Sequence, residues 1–260
     1  MTIEAALNFI PAFVLAFFRL AGMMVMSPLF GSARVPRRVK LLFTLIATMA
    51  MVPAIPPGLV LPPTLPELTL AIASELCFGI AMGLIVSMTF YAAQWAGEMI
   101  GQQIGFNLSE VFDPAFGQAG TLIGDLYFML TLIIFLVIGG HRALMQGVYD
   151  SFAHAPLMSL QMTPQLFDAF VGLFTGATTL AMRLAAPMFC TMLVVDLAMG
   201  CVGRAMPQFN IMTAGLPIKS LIGIIILIAG VGLSADALQG ALEESLSFFY
   251  QTFTAGAQGG

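Results

Sequence analysis

Six charged side chains lie within or at the ends of strongly apolar stretches, where they could carry a proton or an ion. They are Arg19, Glu75, Glu98, Asp125, Arg183 and Asp196. A charge in an apolar segment is costly unless it is paired or hydrated, so each of these groups needs a partner. One hypothesis is a proton or ion relay. The other is a set of ion pairs between helices or subunits, which we favour because the residues are scattered and form no single acidic ladder.

Two of these residues, Arg183 and Asp196, belong to one apolar stretch but cannot pair with each other. Their separation along the chain places them on nearly opposite faces of a helix with about 3.6 residues per turn. Each is therefore expected to find its partner on another helix.

A polar stripe runs beside a stripe of small residues in one long apolar segment. The polar stripe is Gln94, Glu98 and Gln102, and the small stripe is Ala93, Gly97, Gly101 and Gly105. The same spacing occurs earlier, at Gly79, Gly83 and Ser87. Small residues spaced in this way let a second helix approach closely, as in membrane proteins. If the helix continues to about residue 105, its two faces indicate tight packing in an assembly, with ordinary packing within the chain as the alternative.

Catalytic motifs are missing from the sequence. His141 and His154 lack the spacing and carboxylate support of a metal pair, and no glycine-rich phosphate-binding loop is followed by Lys and Ser or Thr. No Ser or Cys lies in a nucleophile motif. We therefore predict that the chain is not an enzyme, with no catalytic residues, no cofactor and no metal site.

The composition is that of a membrane protein. Apolar residues make up 59% of the chain and charged residues 8%, against about 45–50% and 25% in soluble domains. A soluble fold could not cover its surface with so few charges, whereas membrane lipid solvates an apolar exterior. The net charge of −4 argues against nucleic-acid binding. The cysteines lack CxxC spacing and are predicted to be buried small apolar residues.

We predict an all-α integral membrane protein with about six hydrophobic helices, since a spanning helix needs about 20 mostly apolar residues. The segments are about 7–30, 41–61, 70–96, 122–139, 169–195 and 211–235. The second and third carry the clearest signal. Prolines between residues 52 and 67 end the second helix and predict an extended connector. Residues 236–260 are predicted to be a short tail.

Positive charges predict the orientation of these helices, because cytoplasmic loops collect Lys and Arg. The loop cations are Arg34, Arg37, Arg38 and Lys40 after the first segment, and Arg204 and Lys219 between the fifth and sixth. With six spans both loops fall on one side of the membrane, and the opposite side carries Arg142. The predicted topology places both termini outside and the six loop cations in the cytoplasm.

The segment after the glycine stripe, from Gly105 to about residue 124, mixes aromatic, amide and acidic residues. It is too polar to face lipid, and irregular backbone at membrane depth is tolerated only inside protein or along a wet cavity. The segment is either a surface loop or a re-entrant loop. Spacing alone favours the surface loop.

Several motifs, taken in their order and spacing, resemble one protein family. They are residues 17–22 (FFRLAG), 27–31 (SPLFG), 35–40 (VPRRVK), 101–114 (GQQIGFNLSEVFDP), Gly140-His141 with Ser151-Phe152 and Pro156, 203–211 (GRAMPQFNI) and 215–219 (GLPIK). The combination resembles the flagellar biosynthetic protein FliR family, which is related to the export-apparatus T-subunit of virulence type III secretion systems. The resemblance covers about residues 9–235.

The resemblance implies an export-gate subunit in the bacterial inner membrane, at the flagellar basal body. Members of this family assemble with FliP and FliQ into a helical, funnel-like complex through which unfolded flagellar export substrates pass. FlhB associates with that complex, and FlhA forms its cytoplasmic platform. Residues 1–168 would be FliP-like, with some helices broken or tilted. Residues 169–235 would be a FliQ-like helical hairpin whose loop, 204–219, faces the cytoplasm.

The resemblance also assigns a pore plug to the segment that follows the glycine stripe, about residues 106–124, and so reverses the preference for a surface loop. The matching plug residues are Phe106, Asn107, Leu108, Ser109, Glu110, Val111, Phe112 and Asp113. Three alternatives stay open: an injectisome export subunit, an assembly factor without pore contact, and a secondary transporter, which also uses broken helices and midplane charges.

Overall fold

The structure, a computed structural model, describes residues 3–31, 35–55, 59, 62–106, 122–158, 164–206 and 215–253. Within these ranges the chain forms seven α-helices and one short 3-10 helix, and it contains no strand. The predicted all-α fold is therefore confirmed.

The first three helices are α1 (Ile3–Met26), α2 (Arg37–Met51) and α3 (Leu65–Ile104). Prolines lie at their boundaries. Pro36 precedes α2, Pro53 lies in the 3-10 helix that follows it, and Pro66 lies in the first turn of α3. Proline suits a first turn because the N–H groups there have no acceptor within the helix.

Gly105 ends α3. Its φ is +92°, and the N–H groups of Gly105 and Phe106 each donate to the Gly101 carbonyl at 3.1 Å. Glycine adopts this left-handed conformation without strain, and the paired bonds satisfy a carbonyl at the end of the helix. The prediction that Gly105 packs as a helical glycine is therefore corrected, because the residue lies outside the helix and terminates it.

The remaining helices are α4 (Leu122–Val137), α5 (Gly140–His154), α6 (Pro164–Ala205) and α7 (Leu216–Phe253). The axes of α4 and α5 differ by 65°. The bend falls at Gly139, whose φ of +75° is one that glycine tolerates better than other residues.

In the described part of the chain, four helices are long and apolar enough to cross a membrane, namely α1, α3, α6 and α7, and the bent pair α4 and α5 would form a fifth span. The predicted span at 41–61 is not among them. Its helix, α2, has 15 residues and rises about 22 Å at 1.5 Å per residue, short of a hydrocarbon core about 30 Å thick. The topology that required six spans stays a prediction.

The last helix corrects the predicted tail at residues 236–260, because α7 continues to Phe253. Much of the surface of α6 and α7 is exposed in the described part of the chain. Only 17% of the most apolar stretch of each of these helices is buried, against 50% of that in α1. The three cysteines are exposed rather than buried. They lie on helix faces that the described part of this chain leaves uncovered.

The chain divides into two compact units, and the helices α3, α6 and α7 each contribute residues to both. The first unit contains Met1–Met88, Phe135–Leu173 and Leu242–Gly260, and the second contains Thr89–Ile134 and Phe174–Ala241. In the second unit Ile100 and Ile104 of α3, Met188 and Met192 of α6, and Leu238 of α7 are part of one buried apolar cluster. The predicted FliP-like and FliQ-like parts, divided at residues 168 and 235, stay a prediction.

Candidate functional site

A buried ion pair joins α1 to α3 in the first unit. Arg19 on α1 and Glu75 on α3 are each 1% exposed, and Arg19 Nε donates to Glu75 Oε2 at 2.6 Å. Two charges so far from water are tolerated only when they neutralise each other and their remaining polar atoms are bonded.

The rest of the Arg19 guanidinium is held by the end of α5. Its Nη1 donates to the Ala155 carbonyl at 3.0 Å, to the Ser151 hydroxyl at 3.2 Å and, more weakly, to the Ser151 carbonyl at 3.4 Å. The last carbonyls of a helix lack partners within that helix. The Arg19 side chain therefore caps the C-terminal end of α5 and also pairs with Glu75 on α3.

The second carboxylate oxygen of Glu75 holds the chain just after α5. The Met158 N–H donates to Glu75 Oε1 at 2.7 Å. Met158 has a φ of +67°, which is uncommon for a residue with a side chain. The bond to Glu75 stabilises this turn in its sparsely populated conformation.

Two aromatic rings flank the guanidinium. The Arg19 Cζ atom lies 4.3 Å from the centre of the Phe78 ring and 5.0 Å from that of Phe152, within the range of cation–π attraction. Both charges are thus occupied by partners in the same chain. At this pair the geometry favours the ion-pair hypothesis over a proton or ion relay.

Around the ion pair, glycines let α1 and α3 approach until their backbones touch. A Cβ atom added to Gly79 would overlap the Arg19 carbonyl oxygen, and one added to Gly22 would overlap the Leu76 carbonyl oxygen. At Gly83 it would lie 2.7 Å from the Met23 carbonyl oxygen. The close crossing places Arg19 and Glu75 within bonding distance.

Ser87 continues this contact, because its hydroxyl donates to the Met26 carbonyl at the end of α1. The stripe Gly79, Gly83 and Ser87 therefore lies at the helix crossing along its whole length.

In the second unit the later glycines pack against other helices. A Cβ atom on Gly97 would lie 2.5 Å from the Ile123 carbonyl oxygen and 2.7 Å from Gly124 Cα, so α3 meets α4 there. Gly101 is buried. Gly223 of α7 faces Ile104, whose Cγ1 atom would lie 2.6 Å from an added Cβ.

A second ion pair joins α6 to α7. Lys219 Nζ lies 2.8 Å from Asp196 Oδ1, and the Asp196 side chain is 48% exposed. The partner of Asp196 thus lies on another helix, as its position opposite Arg183 required. Exposed pairs of this kind add little stability.

The other polar candidates are less enclosed. Gln94 and Glu98 are partly buried, whereas Gln102, Asp125, Arg183 and Asp196 are exposed in this chain. The prediction of burial is therefore wrong for these four within the described part of the chain, because they project from faces that no other segment covers. Their burial by other chains stays a prediction.

The loop cations and the plug are only partly described. Arg37, Arg38 and Arg204 are exposed, and Lys40 Nζ donates to the Gly31 carbonyl at 3.1 Å. Arg34 lies outside the described residues. Phe106 follows the end of α3 and is 39% exposed. The remaining plug candidates, residues 107–113, also lie outside the described ranges, so the plug stays a prediction.

Three residues that contribute to the site around the Arg19–Glu75 ion pair were not predicted from the sequence: Gly22, Ser151 and Met158. Gly22 follows Arg19 by about one helical turn, which was a usable signal for a helix contact. Ser151 belongs to a motif quoted for the resemblance, but nothing in its type indicated an arginine partner. Met158 contributes through its backbone, which leaves no mark in the sequence.

The sequence of the chain is similar to those of known bacterial proteins. The chain matches the family described as bacterial export proteins, family 1, over residues 10–245. It is 31% identical to the flagellar biosynthetic protein FliR of Bacillus subtilis, over 86% of this chain and 88% of that protein.

Two further relatives extend the comparison. The identity to the flagellar biosynthetic protein FliR of Aquifex aeolicus is 27%, over 95% of this chain and 96% of that protein. The Yop proteins translocation protein T of Yersinia pestis is 25% identical over 62% of each chain. The chain therefore belongs to the bacterial export proteins of family 1, in agreement with the resemblance to FliR proteins that its motifs predicted.

Proposed function

We propose that the chain is a membrane subunit of the flagellar type III export gate and forms, with FliP and FliQ, the channel for unfolded flagellar proteins. The observation that carries this proposal is the family match over residues 10–245. The match includes the Arg19–Glu75 ion pair of the first unit and the long helices of the second. It therefore covers most of the sequence rather than one motif.

The open apolar faces of α6 and α7 support a role in an assembly. Large side chains remain exposed along both helices, including Leu193, Leu197, Leu221 and Ile228. Contiguous apolar surface of this kind indicates contact with lipid or with other proteins. We infer that part of it contacts FliP and FliQ, and that FlhB and FlhA join the same apparatus in the bacterial inner membrane at the flagellar basal body.

The flagellar assignment is preferred over the injectisome alternative because of coverage. The flagellar relatives from Bacillus subtilis and Aquifex aeolicus align with 86% and 95% of this chain, against 62% for the Yop translocation relative. The buried charges of Arg19 and Glu75 pair with each other, which favours a structural role for these two residues over the binding of a solute or coupling ion in a secondary transporter.

A chromosomal deletion tests the proposed function. Loss of the chain is expected to abolish release of hook and filament subunits into the medium, and a plasmid copy should restore it. An affinity-tagged copy should copurify FliP and FliQ from detergent-solubilised membranes. Normal export in the deletion strain would contradict the proposal, as would a tagged, functional chain that purifies without either partner.

The predicted plug gives a separate expected result. Removing residues 107–113 should increase the leak of small ions through the assembled complex, because the segment after Phe106 would no longer occlude the channel. The measurement is ion flux across the inner membrane of cells that contain the complete complex. A matched control shortens the tail beyond Phe253 by seven residues. An unchanged leak in a fully assembled variant would argue against the plug.

A further inference from the structure

Arg183 is an exposed cation within one of the long apolar helices. It lies on α6, in the part of that helix apolar enough to cross a membrane. Among the described residues it has no hydrogen-bond or ion-pair partner, in contrast to Arg19 and Lys219. A charge in such a segment is costly unless it is paired or hydrated. Arg183 therefore requires water or an anionic group from outside the described residues.

A cavity adjoins this cation. It has a volume of about 110 Å³, is open on one side, and is lined by Arg183, Pro187 and apolar side chains of α6 and α7. The Tyr127 hydroxyl contributes to the wall and bonds to the Ser234 hydroxyl at 3.1 Å. The Ser234 hydroxyl in turn donates to the Gly230 carbonyl at 3.1 Å. Both hydroxyls thus have partners within the chain, which leaves Arg183 as the cationic feature of an otherwise apolar recess.

The size of the cavity limits what can enter it. A cavity of about 150 Å³ admits a benzene molecule, so 110 Å³ suits one large apolar side chain. A phospholipid acyl chain could place only its end there. The volume therefore admits the whole of one large side chain from a neighbouring protein, but only the end of a lipid chain.

The charge and the helix surface limit the occupant further. A guanidinium binds a carboxylate through two parallel hydrogen bonds, and such bonds are strongest where water is excluded. Gly230 lines the cavity, and open space surrounds the position of its missing Cβ atom. Glycine at such a site lets a second helix approach closely.

We propose that Arg183 and this cavity form a docking site for a transmembrane helix of another subunit. That helix would carry an Asp or Glu about one turn from a bulky apolar side chain. The carboxylate would pair with Arg183, and the apolar side chain would fill the cavity. The proposal rests on the proposed function, because it takes the partner to be another subunit of the export apparatus.

Photo-crosslinking in native membranes tests the site with the full chain and its natural partners present. Leu233 lines the cavity and is 77% exposed, so a benzophenone amino acid at this position should crosslink to a different protein. The crosslinked peptide should contain Asp or Glu within two helical turns of the attachment point. Leu197, which is 65% exposed on α6 and lies outside the cavity lining, is the control position.

Substitution of Arg183 tests the ionic contact. With the crosslinker at Leu233, Arg183→Gln should reduce the adduct at least fivefold, whereas Arg183→Lys should retain most of it. The yield is normalised to the amount of chain in the membrane. The adduct at Leu197 should change less than twofold in either variant.

Four outcomes would overturn the docking site. They are an adduct with lipid, an adduct with a second copy of this chain, a protein adduct without a nearby Asp or Glu, and an adduct yield at Leu233 that is unchanged by Arg183→Gln. An acid-bearing partner from outside the export apparatus would instead support the docking site and contradict the proposed function. The two proposals can therefore fail separately.

Discussion

Replacing either member of the buried ion pair is expected to remove most of the folded protein. Arg19→Met would leave the Glu75 carboxylate without its partner, and Glu75→Leu would do the same to the Arg19 guanidinium. Breaking a buried pair from one side costs about 3–5 kcal/mol, against a total stability of about 5–15 kcal/mol for a typical domain. The measurement is the amount of monodisperse chain in detergent and its melting temperature.

The double variant Arg19→Met with Glu75→Leu should recover part of this loss, because no unpaired charge remains. Recovery should be incomplete, since the Met158 N–H and the Ala155 carbonyl lose the side-chain partners that Glu75 and Arg19 provide. An unsatisfied buried group costs about 1–3 kcal/mol. The double variant should therefore melt between the wild type and the single variants.

Arg38→Met provides the matched control, because Arg38 is an exposed cation on α2. Its melting temperature should stay close to that of the wild type. If Arg19→Met lowers the melting temperature no more than Arg38→Met does, the ion pair does not stabilise the first unit. If the double variant is less stable than both single variants, the loss does not arise from an uncompensated charge.

The site around the Arg19–Glu75 ion pair could be predicted only in part from the sequence. Arg19 and Glu75 could be singled out because a charge in an apolar segment needs a partner. Their pairing could not, because several carboxylates were available and only the crossing of α1 and α3 selects one. The contacts from Ser151, Ala155 and Met158 depend on where the chain turns after α5, and no residue type reports that position.

The fold shows a similar division between what was predictable and what was not. Apolar segments predicted the long helices well, because length and hydrophobicity are properties of the local sequence. The predicted span at 41–61 was wrong because a long stretch without charges suggested a spanning helix. The prolines on either side allow a helix of only 15 residues. Asp125 and Arg183 were expected to be buried, but exposure in one chain depends on partners that the sequence does not contain.

The strongest test of the helix crossing is Gly79→Ala. The added methyl group would overlap the Arg19 carbonyl oxygen, and backbone cannot move aside as a flexible side chain can. The two helices must therefore separate, which also pulls Arg19 away from Glu75. Overpacking alone costs about 1–3 kcal/mol, and disturbance of the ion pair should raise the cost above this range.

Two further glycines turn this expectation into a ranking. Gly83→Ala would bring a methyl group to 2.7 Å from the Met23 carbonyl oxygen, a smaller overlap than at Gly79. Gly176→Ala on α6 meets nothing within 4 Å and should stabilise the helix by about 0.5–1 kcal/mol, because alanine loses less backbone entropy than glycine. Melting temperatures of the purified chain should therefore rise in the order Gly79→Ala, Gly83→Ala, wild type, Gly176→Ala. If all three variants melt together, glycine at these positions serves helix flexibility rather than contact. A ranking that follows the overlaps would instead show that the close approach of α1 and α3 is what brings Arg19 to Glu75.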